Sequence, residues 1–375
     1  MRSERTPPNL SRYHRQMLLP HVGEAGQARL AASHALIVGC GALGCAIADL
    51  LARAGVGTLT IVDRDIIELT NLQRQVLYDE RDVRSGTPKA EAAKARLAHI
   101  NSEVTVHAHV DDFNHQNSER FAQDADIILD GLDNFETRYL LNDLAVSRGL
   151  PYVYGGAVGV GGVSMLVLPH SAKRQARSGA KIVWDDASST PCLRCVFPEA
   201  PPPGASPTCD TAGVLGPLIQ MIASHQATQA LKLLAGNIAA VDRSLLSIDA
   251  WENDTRRFDI SAARNPQCLC CALGNFEFLR GDGGQLTAAL CGRDAVQISP
   301  GNASTAIDLV AMAETLAAHG AFKHNRFFLR GEFTNERGDQ NTPIELTLFP
   351  NGRAIVKGVS GPEQARSIYA RYVGM

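Results

Sequence analysis

The tightest constraint on what this chain can become is a six-residue run, Gly39-Cys40-Gly41-Ala42-Leu43-Gly44, set between two patterns of different period. The apolar run His34 to Val38 before it predicts a buried strand, and Cys45 to Ala54 behind it predicts a helix stopped by Gly55 and Gly57. Glycines at that spacing permit a tight turn, let backbone approach a phosphate, and aim the positive end of a helix at an anion. A second strand, Thr58 to Val62, ends at Asp63, where an acidic residue would meet ribose hydroxyls. The competing reading is a packing turn followed by a strand-end Asp. Further along, the pattern predicts a helix at Lys89 to Ile100 with Pro88 just inside its start, strands at Val104 to Val110 and Asp126 to Asp130, and a helix at Thr137 to Arg148. This alternation predicts an α/β fold, a parallel sheet with helices on both faces.

The rest of the 375 residues predicts one large and one small domain, 1–275 and 276–375. Pro151 to Leu168 is Gly-rich and β-like, and 170–210 reads as a long, Pro-rich crossover loop. Val214 to Ala235 predicts the longest helix, ended by Gly236, and Leu245 to Ile260 a hairpin-like return. Beyond Phe276 a small α+β unit is expected. It has strands at Ala295 to Ser299, Arg326 to Phe333, Ile344 to Phe349 and Ala354 to Val359, and helices at Ala306 to His319 and Pro362 to Tyr372. Asn351-Gly352 marks a hairpin turn. A hydrophobic content of 45% with 20% charged residues excludes global disorder, and a net charge of −3 excludes a general nucleic-acid or acidic-membrane binder. The longest apolar runs, such as Ala35 to Val38 and Met165 to Leu168, fall far short of the ~20 residues of a spanning helix. The polar stretch Met1 to Leu10 lacks a secretory pattern, so the nine cysteines are expected in a reducing compartment, the cytoplasm.

A glycine turn plus Asp63 reads by default as an NAD(P)-dependent oxidoreductase, which stays the alternative. The run from Asp63 to Gln75 points elsewhere. Arg74 offers a bidentate fork and Asn71 and Gln73 offer amides, with Asp65 and Thr70 in the same polar run; Lys89 adds a second cation. Hydride transfer has no use for two cations at the phosphates. An enzyme that cleaves a triphosphate does, because the departing pyrophosphate must be stabilised. Asp133, in Asp130-Gly131-Leu132-Asp133-Asn134 at a strand's C-terminal end, is a good hard-oxygen ligand for Mg²⁺. Asn134 reads equally as turn chemistry before a helix. Candidate nucleotide-binding residues are therefore Gly39, Gly41, Ala42 and Gly44 in the turn; Asp63, Asp65, Thr70, Asn71, Gln73 and Arg74 in the run behind it; and Lys89, Asp133 and Asn134. Arg74, Lys89 and Asp133 are the candidates for catalysis.

Cys192-Leu193-Arg194-Cys195 and Cys268-Leu269-Cys270-Cys271 supply two Cys-x-x-Cys pairs. A two-residue spacer lets both thiolates bind one tetrahedral Zn²⁺, and four thiolates make a closed, structural site. Cys270 is ambiguous, but only Cys268 and Cys271 have the favoured spacing. A redox pair would open a helix beside a βαβ strand, whereas Pro191 and Pro198 around the first pair fit a loop better. Cys209 precedes the longest helix, whose positive end would lower its thiol pKa, so it is a candidate nucleophile; the alternative is a plain loop thiol. Cys40, Cys45 and Cys291 read as small hydrophobes.

Taken together, Arg12-Tyr13-His14-Arg15-Gln16, the glycine turn, Thr70-Asn71-Leu72-Gln73-Arg74-Gln75, Lys89 and Asp133-Asn134 resemble the E1-like family of ThiF, MoeB and HesA over about residues 10–275. The resemblance implies a Rossmann-like adenylation domain with a mixed sheet, followed by the small C-terminal domain of longer ThiF/MoeB-type proteins. It implies ATP with Mg²⁺, a structural zinc, and adenylylation of the C-terminal glycine of a ubiquitin-fold sulfur carrier (ThiS- or MoaD-like) ending in Gly-Gly. It implies a homodimer in which Arg15 of one subunit reaches the ATP site of the other, and at Cys209 a covalent link to the carrier or a part in sulfur transfer. Cys291-Gly292-Arg293-Asp294 is too short a match to a rhodanese loop. A separate sulfur donor, a cysteine desulfurase or sulfurtransferase, is therefore expected. Thiamine, molybdopterin and cysteine or siderophore sulfur carriers all remain open, with the C-terminal unit and Cys209 leaning toward thiamine.

Overall fold

The computed structural model describes residues 10–170, 182, 184–199, 212–282, 287–290, 295–298, 307–338, 341–359 and 361–373. Eight strands form one sheet: β1 His34–Val38, β2 Thr58–Val62, β3 Thr105–His109, β4 Ile127–Asp130, β5 Tyr152–Val158, β6 Gly161–Val167, β7 Leu245–Asp249 and β8 Asp254–Phe258. Their order is β3-β2-β1-β4-β5-β6-β7-β8. The first five run parallel and the last three add antiparallel, which makes the sheet mixed. The chain builds outward from β1 to β3, then returns to place β4 on the other side of β1. The ends of β1 and β4 therefore diverge into connections on opposite faces, and such a reversal opens a crevice at the strands' C-terminal ends.

Burial follows the two-residue period of a strand covered on both faces. In β1, Ala35 and Ile37 enter one core and Leu36 and Val38 the other. The first core is closed by α1 (Gly23–Ala32), α2 (Ala42–Ala54), α3 (Lys89–Ile100) and α5 (Gly216–Ala235), and the second by α4 (Phe135–Arg148). Helix α5 packs on α1, α2, β5 and β6, so the sheet and two helices of that face share it as a common wall. No helix among the described residues is long and apolar enough to cross a membrane.

The chain separates into two compact units, 1–201 with 213–283, and 202–212 with 284–375. The second holds a six-stranded antiparallel sheet, order β11-β12-β13-β14-β10-β9. Its elements are β9 Thr287–Leu290, β10 Ala295–Ile298, α6 Leu309–Leu316, β11 Gly320–His324, β12 Leu329–Arg337, β13 Pro343–Leu348, β14 Ala354–Lys357 and α7 Pro362–Tyr372. Leu329, Phe333, Leu346 and Val356 form its core with Ile368 and Tyr369 of α7.

Several boundaries differ from the sequence reading for local reasons. Helix α4 starts two residues earlier, at Phe135, because Asn134 caps it. Helix α2 starts at Ala42, directly from the turn. Pro88 is the extended residue before α3 and lies outside it. The segment predicted as a loop around Cys192 forms one helical turn, Leu193–Val196, with Cys192 at its start. Strands β9 and β11 were not anticipated.

Candidate active site and cysteine cluster

The glycine turn is built by mutual exclusion of side chains. Gly39 sits at φ +83°, and a Cβ there would lie 2.6 Å from the Gly131 carbonyl oxygen. A Cβ on Gly44 would lie 1.9 Å from the Gly39 oxygen, and one on Gly131 2.2 Å from the same atom. These three glycines let the ends of β1 and β4 touch. Gly41 is different: a Cβ there would meet nothing nearer than 3.8 Å, with the Gly131 oxygen and, at 3.9 Å, Gln75 Nε2 as its closest neighbours. Packing of the protein does not require a glycine at 41. Gly44→Ala is expected to destabilise the fold by more than ~3 kcal/mol, since backbone rather than a mobile side chain must move. Gly41→Ala should leave the melting temperature within a degree or two of wild type, as an exposed substitution does (within about 0.5 kcal/mol). It should weaken ATP binding at least ~10-fold, about 1.4 kcal/mol. Thermal melts beside calorimetric titration with ATP separate the two outcomes.

Buried charges pin this turn. Asp63 accepts the Cys40 N–H at 2.6 Å on one carboxylate oxygen and the Asp65 N–H at 2.7 Å on the other. Burial pushes the Asp63 carboxyl up, and Lys89 works against that shift. Lys89 opens α3, is 4% exposed, and places Nζ 2.9 Å from Asp65 Oδ2. Its backbone N–H also donates to the Asp65 carbonyl at 2.9 Å. The structure thus gathers the turn, Asp63, Asp65 and Lys89. Each Asp63 oxygen serves a backbone amide and keeps a second lone pair for a further donor.

The run from Leu69 to Gln75 ends beside the turn, where Gln75 Nε2 lies 3.9 Å from the position of a Cβ on Gly41. Leu69–Asn71 is a 3₁₀ turn in which buried Asn71 accepts the Glu68 N–H on Oδ1 at 3.0 Å. Thr70 and Gln73 are exposed, and Arg74 donates to the Thr70 carbonyl at 2.8 Å. A Cβ on Gly216, the first residue of α5, would lie 3.0 Å from the Gln73 oxygen, so this run rests on the start of α5. Gln75 is a residue to which the sequence reading gave no role. It is 3% exposed beside Gly41, and its Oε1 is buried without a hydrogen-bond partner.

On the β4 side, Asp133 is exposed and Asn134 spends its Oδ1 on the Thr137 N–H at 2.9 Å, the capping role. Behind them lies a network that sequence reasoning missed. Asp130 is fully buried and accepts the Tyr152 hydroxyl at 2.6 Å and the Leu132 N–H at 2.9 Å. Arg138 Nε lies 3.4 Å from Asp130, and its Nη2 donates to the carbonyls of Leu132 at 2.7 Å and Gly155 at 3.0 Å. Gln226 of α5 donates to the Asp130 carbonyl at 3.0 Å. Burial raises the Asp130 carboxyl, and Arg138 pulls it back. Together these bonds freeze the Gly131–Asp133 loop. Arg64 was missed as well: it donates to Asp112 at 2.8 Å, and Asp112, Asp65 and Asp133 hold it charged against its burial.

Arg15 is exposed on the short helix His14–Met17. That segment is anchored at the far end of α2: Tyr13 accepts a bond from Asn101 at 2.7 Å and Gln16 donates to the Ala54 carbonyl at 3.1 Å. The thirteen residues of α2 put roughly 20 Å between this anchor and the glycine turn. Arg15 is not brought to the turn of its own chain. Cys209 lies outside the described residues, as does Cys291; Cys40 and Cys45 are buried in the core.

The ThiF family model matches residues 13–270. The chain belongs to the ThiF family. A Bacillus subtilis (strain 168) protein named sulfur carrier protein ThiS adenylyltransferase is 39% identical over 363 residues, 97% of this chain and 99% of its own. A Thermus thermophilus protein named sulfur carrier protein adenylyltransferase is 40% identical over 266 residues, 71% of this chain and 92% of its own. The crystal structure of E. coli MccB shares the fold, with a TM-score of 0.56 at 23% identity over 72% of this chain and 74% of that one.

In this ThiF-family chain the two Cys-x-x-Cys pairs meet. The Sγ atoms of Cys192, Cys195, Cys268 and Cys271 all lie within 4.8 Å of one another. Three edges measure 3.9 Å (192–195), 3.6 Å (192–268) and 3.4 Å (195–271). Zn–S bonds of ~2.3 Å at tetrahedral angles require edges of about 3.8 Å, so the donor set fits one zinc. The separations are far longer than the ~2.05 Å of a disulfide. Cys270 is outside this set: it is fully buried and faces α4, where Asn142 Nδ2 donates to its sulfur at 3.2 Å.

Proposed function

We propose that this protein adenylylates the C-terminal glycine of a ubiquitin-fold sulfur carrier ending in Gly-Gly, preparing it for thiocarboxylate formation. The geometric observation that carries the reading is Gly41, the one turn glycine with space for a side chain, with Lys89 tied to the turn through Asp65 and Asp63 and the Gln75 end of the Arg74 run beside it. The end-to-end match to the Bacillus subtilis protein supports the carrier class, and favours a ThiS-like over a MoaD-like partner.

ATP binds along the turn formed by Gly39, Gly41, Ala42 and Gly44, whose amides face the phosphates at the start of α2. Asp63 takes the ribose hydroxyls on its outer lone pairs. A carboxylate oxygen of the carrier attacks the α-phosphorus, the bond to the bridging oxygen breaks, and pyrophosphate departs with its electrons. Lys89, held by Asp65, and Arg74, with Thr70, Asn71 and Gln73 beside it, neutralise the charge that builds on the leaving group. Asp133 would hold Mg²⁺, which supplies further neutralisation when bound; Asn134 fixes that loop by capping α4. There is little proton chemistry in this step, so positioning and charge dominate. Arg15 acts in trans from the second copy of a homodimer, which accounts for its distance from its own turn. Residues 1–275 form the adenylation domain, with four cysteines on a structural zinc, and 276–375 a carrier-contacting or packing unit. Sulfur comes from a separate donor protein in the reducing cytoplasm, with Cys209 as the candidate for a covalent link.

The test is exchange of radiolabelled pyrophosphate into ATP, beside intact mass spectrometry of the carrier. With Mg·ATP, a ThiS-like carrier should gain one AMP and drive exchange. A carrier lacking its terminal glycine should do neither. Absence of exchange with every Gly-Gly carrier tried overturns the proposal.

A further inference from the structure

Two Cys-x-x-Cys knuckles 76 residues apart in sequence must be presented to one ion in register. One buried side chain touches both. Asn142, in the middle of α4, is 0% exposed. Its Oδ1 accepts the backbone N–H of Leu193, inside the first knuckle, at 2.8 Å. Its Nδ2 donates to the sulfur of Cys270, inside the second, at 3.2 Å. The orientation of the carboxamide is not arbitrary, because the Leu193 amide can only donate and so must face the oxygen. The next residue on α4, Asp143, accepts the Phe278 N–H at 3.1 Å, which ties the segment after the second knuckle to the same helix, and Arg194 in the first knuckle pairs with Glu277 of that segment at 3.2 Å.

We propose that Asn142 is the clasp that presets the metal site: a single carboxamide fastens both knuckles to α4 through residues that are not themselves ligands. This rests on the reading of the four thiols as a zinc site. It also assigns Cys270 a place. That thiol is the acceptor for the clasp, and the second knuckle carries a third cysteine for that reason. Outer partners that orient ligands in this way commonly govern metal affinity by 10- to 100-fold. Asn142 is a positioning residue, and the distinguishing readout is the metal rather than the fold.

The experiment uses the full-length, zinc-loaded protein and follows transfer of zinc to a chromophoric chelator well below the melting temperature. Asn142→Ala should release zinc about 10- to 100-fold faster than wild type. Cys270→Ala removes one arm of the clasp; it should speed release by less, and its Co²⁺-substituted form should keep the spectrum of a four-thiolate tetrahedral site. Should Asn142→Ala fail to fold, Asn142→Asp keeps the acceptor for Leu193 while losing the donor, and should also release faster. Release at the wild-type rate from folded Asn142 variants overturns the clasp, as does loss of the four-thiolate spectrum in Cys270→Ala, which would make Cys270 a ligand. Wild-type protein that holds no stoichiometric zinc overturns the metal reading itself, an outcome separate from a loaded protein indifferent to Asn142.

Discussion

Arg74→Ala and Asp133→Ala are each expected to cut carrier-dependent pyrophosphate exchange by about 10²–10³-fold, the usual cost of losing one preorganised source of charge stabilisation, Arg74 directly and Asp133 through the Mg²⁺ it would hold. Neither change should disturb folding or zinc content. Arg74 spends one guanidinium nitrogen on the Thr70 carbonyl at the surface, and Asp133 is exposed, so both side chains can be removed without leaving a buried polar group unpaired. Arg15→Ala should be as inactive, for a reason that mixing can expose. In a mixed dimer of Arg15→Ala and Arg74→Ala subunits, one of the two sites has both arginines intact. Random pairing makes half the dimers mixed, so activity should recover to about a quarter of wild type. Exchange by co-purified subunits is the measurement. Activity above that of either parent would place Arg15 in the partner's site; no recovery would place it in its own subunit's site, and an active Arg15→Ala would return it to a solvated helix face.

The second large effect concerns the thiols. Removing zinc with a chelator, or substituting Cys268 by Ser, is expected to lower the melting temperature by about 10–20 °C. Structural zinc contributes about 10–16 kcal/mol in small metal-folded peptides; a loss of only about 5 kcal/mol in a domain of this size, at ~2–4 °C per kcal/mol, produces that shift. Four thiols within 4.8 Å of one another would repel once ionised if no metal held them. The loss should be local at first. The segment around Cys192 and the turn around Cys268 are joined to the body through α4 and, at Thr190, the end of β6, whereas β1 to β4 are held within the sheet and by α2 and α3. Hydrogen exchange should therefore rise around residues 190–197 and 265–280 before it rises in β1. Differential scanning fluorimetry with and without chelator, with exchange mass spectrometry on the same samples, provides the comparison.

What could be read in the sequence was local. The glycine turn stood out because a strand period changes to a helix period across it. Lys89 stood out because a proline and a helical pattern frame it, and the paired cysteines through their two-residue spacing. Asn134 showed both of its readings, and the structure uses it as a cap. The Asp130, Arg138 and Tyr152 network was not legible, because nothing near Arg138 signals that its partners are a strand end eight residues back and a carbonyl on β5. An arginine in a helix normally points to solvent, and its burial is a property of the assembled sheet. Asn142 and Gln75 were hidden for the same reason. Strand β11 escaped because it lies at a sheet edge with mostly exposed residues, which erases the apolar alternation that marks a strand.

Helix α5 has a bearing on how the molecule comes off the ribosome. It covers β5 and β6 on one face of the sheet and reaches through Gln226 to the end of β4, yet it is synthesised only after residue 216. Until about residue 235 has cleared the exit tunnel, β5 and β6 lack the helix that covers them on that face. Contacts this distant in sequence form slowly, so the nascent chain is a natural client for holding chaperones over more than half of its translation.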